Sequence, residues 1–249
     1  MPREGSRERE GCAAMSSSGT IDTTKSESPT PPGSTSDETL FRVALMGNPN
    51  TGKTTLFNRL CGLRLKTSNF PGTTQEARLG FLRGEEGVSA GRTIEVVDLP
   101  GIYGLELDMP EAAVCHGVLA GTLAPTGEAA AAPDAVCIVI DATNLARNLV
   151  LVGEVLRRRL ATVVVLNMMD LARSRGVSIN LAALSDALGC RVIPAVARKG
   201  EGLDAIQGAL AEAVAPTRTV PGTQDALEDW ADEMYARVAT TGAQARRRD

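Results

Sequence analysis

The chain has 249 residues, of which 43% are hydrophobic and 22% are charged, and its formal net charge is −4. These values are ordinary for a globular protein, and the acidic balance does not favour a nucleic-acid partner. The apolar runs have the length of strands and fall short of the ~18–20 residues that a membrane helix needs. Five cysteines without a C-x-x-C pair and a single histidine exclude a zinc site, a disulfide framework and a Ser-His-Asp triad as first choices.

The composition changes along the chain and predicts three regions. Residues 1–39 are rich in Ser, Thr, Gly and Pro, and we predict a disordered tail, because such a segment buries too little apolar surface to offset its ordering entropy. Residues 40–215 are predicted to form one ordered domain. Residues 216–249 are predicted to be a C-terminal extension that is partly helical, and this extension is a candidate for the start of a helical domain.

Val- and Ile-rich runs alternate with helical patterns through the ordered region. Strands are predicted over residues 41–46, 77–82, 93–98, 135–140, 161–166 and 191–195. Helices are predicted over residues 52–61, 110–120, 145–159, 180–188, 202–214 and 224–238. Continuous apolar strands that alternate with helices indicate a mostly parallel sheet covered on both faces. The Ala-, Gly- and Pro-rich residues 121–133 are predicted to be a surface loop.

The strongest motif stands between the first strand and the first helix. The run Gly-Asn-Pro-Asn-Thr-Gly-Lys-Thr over residues 47–54 fits the phosphate-binding pattern G-x-x-x-x-G-K-[ST]. Its backbone N–H groups would cradle phosphates, Lys53 would reach the β- and γ-phosphates, and the Thr54 hydroxyl would bind Mg²⁺. We therefore predict a nucleotide-binding loop formed by Gly47, Asn48, Asn50, Thr51, Gly52, Lys53, Thr54 and Thr55.

A second motif indicates which base the nucleotide carries. The run Asn-Met-Met-Asp over residues 167–170 directly follows a predicted strand. The carboxylate of Asp170 can accept hydrogen bonds from the N1–H and the exocyclic amine of guanine, whereas adenine presents a different donor pattern. Sites that hydrogen-bond a ligand group discriminate strongly against analogues that lack it. Asn167 and Asp170 are therefore predicted to recognise guanine.

Two further segments are predicted to respond to the γ-phosphate. Asp98, at the start of Asp-Leu-Pro-Gly, can hold Mg²⁺ through water, and the Gly101 N–H can reach the γ-phosphate. A loop held only by that contact relaxes when the phosphate leaves, which makes it a switch. A threonine in the run over residues 69–74 could close over Mg²⁺, and the residues alone do not choose between Thr73 and Thr74.

Taken together, the segments resemble the cytosolic G domain of ferrous iron transport protein B, a Ras-like GTPase domain of the translation-factor branch. The segments that carry the resemblance are residues 47–58, 69–74, 98–105, 141–149 and 167–170, and the Asp-Ala-Thr-Asn-Leu-Ala-Arg-Asn-Leu run is the most specific among them. The resemblance covers about residues 40–215. It implies a three-layer α/β P-loop NTPase G domain with a mostly parallel six-stranded sheet and helices on both faces.

The resemblance also implies roles for individual residues. Thr74 is the Mg²⁺-binding threonine, and Asn50 is the residue that places an activating K⁺, which can supply positive charge beside the phosphates. The catalytic set is then Lys53, Thr74, Gly101 and Asn50. Mg²⁺ is the implied cofactor, with Thr54, Thr74 and Asp98 as its predicted site, and K⁺ is the implied activator.

One position departs from the family pattern, and another differs from Ras. Val196 and Ala197 form the base-contacting loop where the family usually has Ser-Ala, so the hydroxyl is lost while the Ala197 N–H can still contact the guanine oxygen. Ile102 follows Gly101 where Ras has a water-orienting glutamine. An aliphatic side chain cannot orient water, so we expect slow GTP hydrolysis that is faster in K⁺ than in Na⁺.

The expected function is a GTP-binding and slowly GTP-hydrolysing G domain that regulates Fe²⁺ uptake through a membrane permease absent from this chain. The expected partners are GTP, GDP, a permease domain or subunit, and a second copy in a nucleotide-dependent homo-oligomer, with no nucleic acid. The expected location is the cytoplasm or the cytoplasmic face of the membrane. The alternatives are a free-standing regulatory GTPase acting on a protein or RNA partner, and a gene fragment without an independent role.

Overall fold

The computed structural model describes residues 39–62, 65–82 and 92–241. Its strands are β1 (Thr39–Gly47), β2 (Leu65–Asn69), β3 (Glu76–Phe81), β4 (Arg92–Asp98), β5 (Ala135–Asp141), β6 (Ala161–Asn167), β7 (Val177–Ile179), β8 (Arg191–Pro194) and β9 (Ala239–Thr241). Its α-helices are α1 (Lys53–Cys61), α2 (Pro110–Leu119), α3 (Leu145–Leu156), α4 (Met169–Ser174), α5 (Leu181–Leu188), α6 (Leu203–Ala211) and α7 (Gln224–Val238). The predicted disordered tail, residues 1–39, lies outside the described residues except for the first residue of β1.

The described strands form a seven-stranded sheet in the order β2-β3-β4-β1-β5-β6-β8. Every pair from β4 to β8 is parallel, whereas β3 is antiparallel to both β2 and β4. The predicted α/β class with a mostly parallel sheet is thereby confirmed. The sheet has one strand more than the six predicted, because the edge strand β2 reads Leu-Lys-Thr-Ser-Asn and lacks the apolar run of a central strand.

Helices cover both faces of this sheet. On β1, Val43 and Leu45 face a core that is closed by α1 and α6. The alternate residues Ala44 and Met46 face the opposite core, which is closed by α2, α3 and α5. All four side chains are fully buried. The alternation of side chains along each strand therefore supplies both cores, as a parallel sheet with helices on its two faces requires.

The C-terminal helix α7 packs against α3 on the outside of the sheet. It has the bounds that were predicted for it, and its buried side chains Leu227, Ala231, Met234 and Val238 join the core on the α3 side. The short strand β9 follows α7 directly and pairs with β7 in antiparallel orientation. The predicted helix over residues 145–159 ends earlier, at Leu156. The residues that follow form turns, and Arg159 has a left-handed φ of 57°.

The predicted surface loop over residues 121–133 is irregular, and it is fastened to the edge strand β2. The backbone N–H and the hydroxyl of Thr126 both donate to the Asn69 carbonyl, at 3.0 and 2.8 Å. Lys66 of β2 pairs with Glu128 of the loop at 2.7 Å. These contacts cover part of an edge that would otherwise present unpaired backbone groups.

The close approach of α3 and α7 depends on Gly153. A Cβ added to Gly153 would lie 2.3 Å from Cδ1 of Leu227, whereas one added to Gly208 in α6 would meet nothing within 4 Å. We expect Gly153→Ala to lower the free energy of unfolding by about 1–3 kcal/mol through overpacking. Gly208→Ala is the matched control. Because alanine has a better helix propensity than glycine, this variant should raise the free energy of unfolding, by less than about 1 kcal/mol.

Chemical denaturation followed by circular dichroism measures both variants. Equal midpoints for the two alanine variants would contradict the assignment of Gly153 as the residue that sets the α3–α7 distance.

Candidate functional site

The phosphate-binding motif forms a tight loop at the carboxyl end of β1. Asn50 and Gly52 have left-handed φ angles of 65° and 86°. A side chain at Gly52 would place its Cβ 2.4 Å from the Asn167 amide nitrogen, so only glycine fits this position. The loop and the start of α1 line a cavity of about 450 Å³ formed by Asn48, Pro49, Asn50, Gly52, Lys53, Thr54, Thr55 and Gly101.

Lys53, which lines this cavity, is paired with Asp98. The Lys53 ammonium donates to the Asp98 carboxylate and to the Leu99 carbonyl. Burial raises the pKa of Asp98, and the charge of Lys53 opposes that rise. The pair brings together the residue predicted for the phosphates and one predicted for Mg²⁺.

The oxygen donors near the loop suit a hard divalent cation. Thr54 lies exposed in the first turn of α1, and the carboxylate of Asp98 is nearby through its pair with Lys53. A hydroxyl and a carboxylate are ligands that Mg²⁺ prefers. Thr54 and Asp98 therefore have the chemistry expected of the predicted Mg²⁺ site.

The guanine motif lines a second cavity that adjoins the first. This cavity of about 110 Å³ is formed by Gly52, Thr55, Asn167, Met168, Asp170, Leu171, Val196, Ala197 and Arg198. Gly52 and Thr55 line both cavities, so the two are contiguous. The predicted residues for phosphates and for base are thus on neighbouring walls, although they come from segments more than a hundred positions apart.

Asn167 joins the two cavities by hydrogen bonds. Its Nδ2 donates to the Thr51 carbonyl at 2.8 Å, and its Oδ1 accepts from the Ala197 N–H at 2.9 Å. The side chain is 3% exposed. The Ala197 N–H, which was predicted to contact the guanine oxygen, here donates to Asn167, and Val196 and Ala197 line the base cavity beside it.

Asp170 is held by a partner that the sequence did not single out. Its Oδ2 accepts from Nη2 and Nε of Arg198, at 2.5 and 3.2 Å. The hydrogen bond from Arg198 lowers the pKa of Asp170, which keeps the carboxylate ionised. The only feature of the sequence that could have indicated this contact is the pair of cationic residues, Arg198 and Lys199, that directly follows Ala197.

The two candidate threonines differ in their surroundings. The Thr73 hydroxyl donates to the Phe70 carbonyl and accepts from the Gln75 N–H, both at 3.1 Å, so it belongs to the turn. Thr74 is exposed, and it is not among the residues that line the phosphate cavity. Its predicted role needs the loop to move towards the phosphates and stays a prediction.

The loop after Gly101 is fixed by two contacts to α3 that the sequence did not indicate. Glu154 is 4% exposed, and its Oε2 accepts from the Leu105 N–H at 2.5 Å. The guanidinium of Arg147 stacks over the Tyr103 ring at 4.5 Å from its centroid. Arg147 belongs to the run over residues 141–149, which lines a polar cavity of about 230 Å³ next to Asn48 and Asn50.

A phosphate loop before α1, an adjoining base cavity and a sheet of this order define a P-loop nucleotide-binding domain of the G-domain class. The family model described as ferrous iron transport protein B matches residues 41–210. The chain therefore belongs to the ferrous iron transport protein B family.

Similar proteins agree with this assignment. The Fe(2+) transporter FeoB of Salmonella typhimurium is 37% identical over 173 residues, which are 68% of this chain and 20% of that protein. The cytosolic domain of L. pneumophila FeoB superposes with a TM-score of 0.68 at 27% identity, over 80% of this chain and 100% of that one. A mutant of S. thermophilus NFeoB bound to GDP has a TM-score of 0.60 at 35% identity, over 73% and 64% of the two chains.

The chain thus spans about one fifth of the length of the FeoB transporters that it matches. Across residues 39–62, 65–82 and 92–241, no helix is both long enough and apolar enough to cross a membrane.

Glu154 makes stability depend on pH. Burial raises its pKa above the ordinary 4.5, so the folded protein holds the proton more tightly than the unfolded chain. This group therefore lowers stability as the pH rises from 4.5 through the folded-state pKa. Glu154→Gln keeps an acceptor for the Leu105 N–H. Over that pH interval, the free energy of unfolding of this variant should rise relative to that of the wild type, by about 1.4 kcal/mol per unit of pKa shift.

Denaturation at a series of pH values measures this gain. The exposed Glu233→Gln is the control for removal of a charge. Glu154→Ala, which also removes the acceptor, should be less stable than Glu154→Gln at every pH, by about 1–3 kcal/mol. A stability difference between Glu154→Gln and the wild type that does not vary with pH would refute the role of the carboxylate.

Proposed function

We propose that this chain binds GTP and GDP with Mg²⁺, hydrolyses GTP slowly, and through this cycle regulates the passage of Fe²⁺ through a membrane permease. The observation that carries the proposal is the pair of contiguous cavities, one lined by Lys53 and Thr54 and the other by Asp170. Membership of the ferrous iron transport protein B family supports it, as does the GDP bound to the S. thermophilus relative. Family membership favours this function over a free-standing regulatory GTPase.

The phosphates are assigned to the loop and the start of α1. Lys53 lines the phosphate cavity and would exchange its pair with Asp98 for contacts to the β- and γ-phosphates. Thr54 and Asp98 would hold Mg²⁺, directly and through water, and Thr74 would complete the site after its loop closes. Gly101 lines the same cavity, so its N–H could bind the γ-phosphate and thereby hold the loop that follows.

Base selection is assigned to Asp170. Its ionised carboxylate offers two acceptor oxygens at the wall of the base cavity, which match the N1–H and the amine of guanine. Asn167 keeps the base loop against the phosphate loop through its two hydrogen bonds. Val196 and Ala197 would border the base.

Slow hydrolysis and its dependence on potassium are the finer part of the proposal. Ile102 is 4% exposed and has no polar group to orient a water molecule. Asn50 is exposed and lines both the phosphate cavity and the polar cavity beside it, where its side-chain oxygen suits a monovalent cation. K⁺ bound there would supply positive charge near the transferred phosphate.

The wider setting is also proposed. The domain over residues 40–215 would act as a G domain on a permease domain or subunit, as part of a cytosolic domain, which is the term used for the L. pneumophila relative. Residues 216–249, whose helix α7 packs on α3, would be the start of a helical domain. Nucleotide-dependent pairing of two copies is part of the same hypothesis.

Asp170→Asn tests base recognition. An asparagine presents a donor where the carboxylate presented an acceptor, so it suits the C2 carbonyl of xanthine and not the amine of guanine. We expect the preference for guanosine over xanthosine nucleotides to fall by about a hundredfold or more. Competition of GDP, XDP and ADP against a fluorescent GDP analogue measures it.

The exposed Asp186→Asn makes the same change of charge away from the site and should keep the wild-type preference. Retention of guanine selectivity by Asp170→Asn would refute the base assignment. In cells, the same substitution should reduce the uptake of radioactive Fe²⁺ under reducing conditions, which tests the role in transport separately.

Asn50→Gly tests the potassium assignment. Glycine keeps the left-handed φ of 65° without strain and removes the side chain together with its oxygen. GTP hydrolysis should be faster in KCl than in NaCl for the wild type, and the two rates should become equal in the variant while GDP binding is kept. A ratio of rates that the substitution leaves unchanged would rule out Asn50 as the residue that places K⁺.

A further inference from the structure

The carboxylate that is assigned to guanine is occupied by a side chain of the same protein. Nη2 and Nε of Arg198 donate to Oδ2 of Asp170 at 2.5 and 3.2 Å. The other oxygen, Oδ1, accepts from the Leu171 N–H at 3.0 Å. Asp170 is 17% exposed in its side chain, whereas Arg198 is 66% exposed. The contact is therefore open to solvent on the arginine side and can be exchanged for a ligand.

Arg198 presents to Asp170 the donors that guanine would present. The Nε–H and Nη–H groups of a guanidinium are two nearly parallel donors in one plane. The N1–H and the exocyclic amine of guanine are also two parallel donors in one plane, attached to the same kind of N–C–N unit. Arg198 and Asp170 both line the base cavity, so a guanine that reaches Asp170 there would take the place of the guanidinium.

The backbone keeps Arg198 at this position. Its carbonyl accepts from Nη2 of Arg59 at 2.8 Å, and the preceding residue, Ala197, is tied to Asn167 through its N–H. Arg198 itself lines the base cavity together with Asp170. The polar groups assigned to the base are thus paired with one another around that cavity.

We infer that Arg198 is an internal competitor of guanine: its guanidinium occupies Asp170 when no base is bound and must leave before the base can bind. The inference rests on the proposed function, since it assumes that Asp170 recognises guanine. When the competent state is only a fraction of the population, the apparent dissociation constant rises by the inverse of that fraction. Arg198 therefore weakens the binding of guanine nucleotides.

Lys199 provides the matched comparison. Its ammonium lies 3.7 Å from the same Asp170 oxygen and 3.7 Å from Glu201, so it is a nearby charge without a forked contact. Alanine substitution at either position removes one positive charge from the same loop. Only the loss of Arg198 removes the competing pair of donors.

The test compares Arg198→Ala and Lys199→Ala with the wild type in stopped-flow binding of a fluorescent GDP analogue with Mg²⁺. We expect Arg198→Ala to bind GDP about twofold to fivefold more tightly, the range for an exposed ion pair. Lys199→Ala should not bind more tightly. Removal of a cation by itself would weaken the binding of an anionic nucleotide, so the direction of the change separates competition from general electrostatics.

Two further measurements sharpen the test. Pyrophosphate occupies only the phosphate loop, so Arg198→Ala should not tighten its binding. The advantage of Arg198→Ala for GDP should also shrink at 1 M salt, where the Debye length is about 3 Å compared with about 10 Å at 0.1 M.

Equal or weaker binding of GDP by Arg198→Ala, with guanine preference intact in the wild type, would overturn the competitor role alone. Absence of guanine preference in the wild type would instead refute the proposed base recognition.

Discussion

One buried amide, that of Asn167, holds the nucleotide site together. It donates to the carbonyl of Thr51 in the phosphate loop and accepts from the N–H of Ala197 in the base loop. Because the group is buried, the loss of either partner would leave a polar atom without water to replace it. The two cavities therefore keep a fixed relation to each other. The chain can turn directly after Asn167 because Met168 adopts a left-handed φ of 62°, and this turn brings Asp170 to the base cavity.

The order of the strands in the sheet explains why Lys53 and Asp98 lie next to each other. β1 lies between β4 and β5, so the residues that follow β1 meet those at the end of β4. Lys53 and Asp98 consequently form a pair with little exposure to water, 11% and 7% in their side chains. Buried charges are tolerated when they are paired. In the proposed function, a phosphate or a cation that enters the site would take over one partner of this pair, which would couple ligand binding to the loop after Asp98.

Helix α3 connects that loop to the C-terminal helix. Glu154 accepts from the Leu105 N–H, and the adjacent Gly153 allows α7 to approach closely. Arg157, one residue past the end of α3, donates to the carbonyls of Pro221 and Thr223, at 2.6 and 2.8 Å. The loop that follows Gly101 and the segment that leads into α7 are therefore fastened to a single rigid element, which gives α3 a defined position between the site and the C-terminal extension.

The sequence by itself determined the fold class, the phosphate loop and the guanine motif, because strand periodicity, glycine conformations and residue spacing are local properties of the chain. It did not indicate the edge strand β2, whose polar residues are held by pairing with β3 and by Thr126. It also did not indicate that Arg198 pairs with Asp170 or that Glu154 holds Leu105, since their partners are 28 and 49 positions away. Only the tertiary structure decided these contacts, because the hydrogen bonds that define them exist only after distant segments have been packed against the sheet.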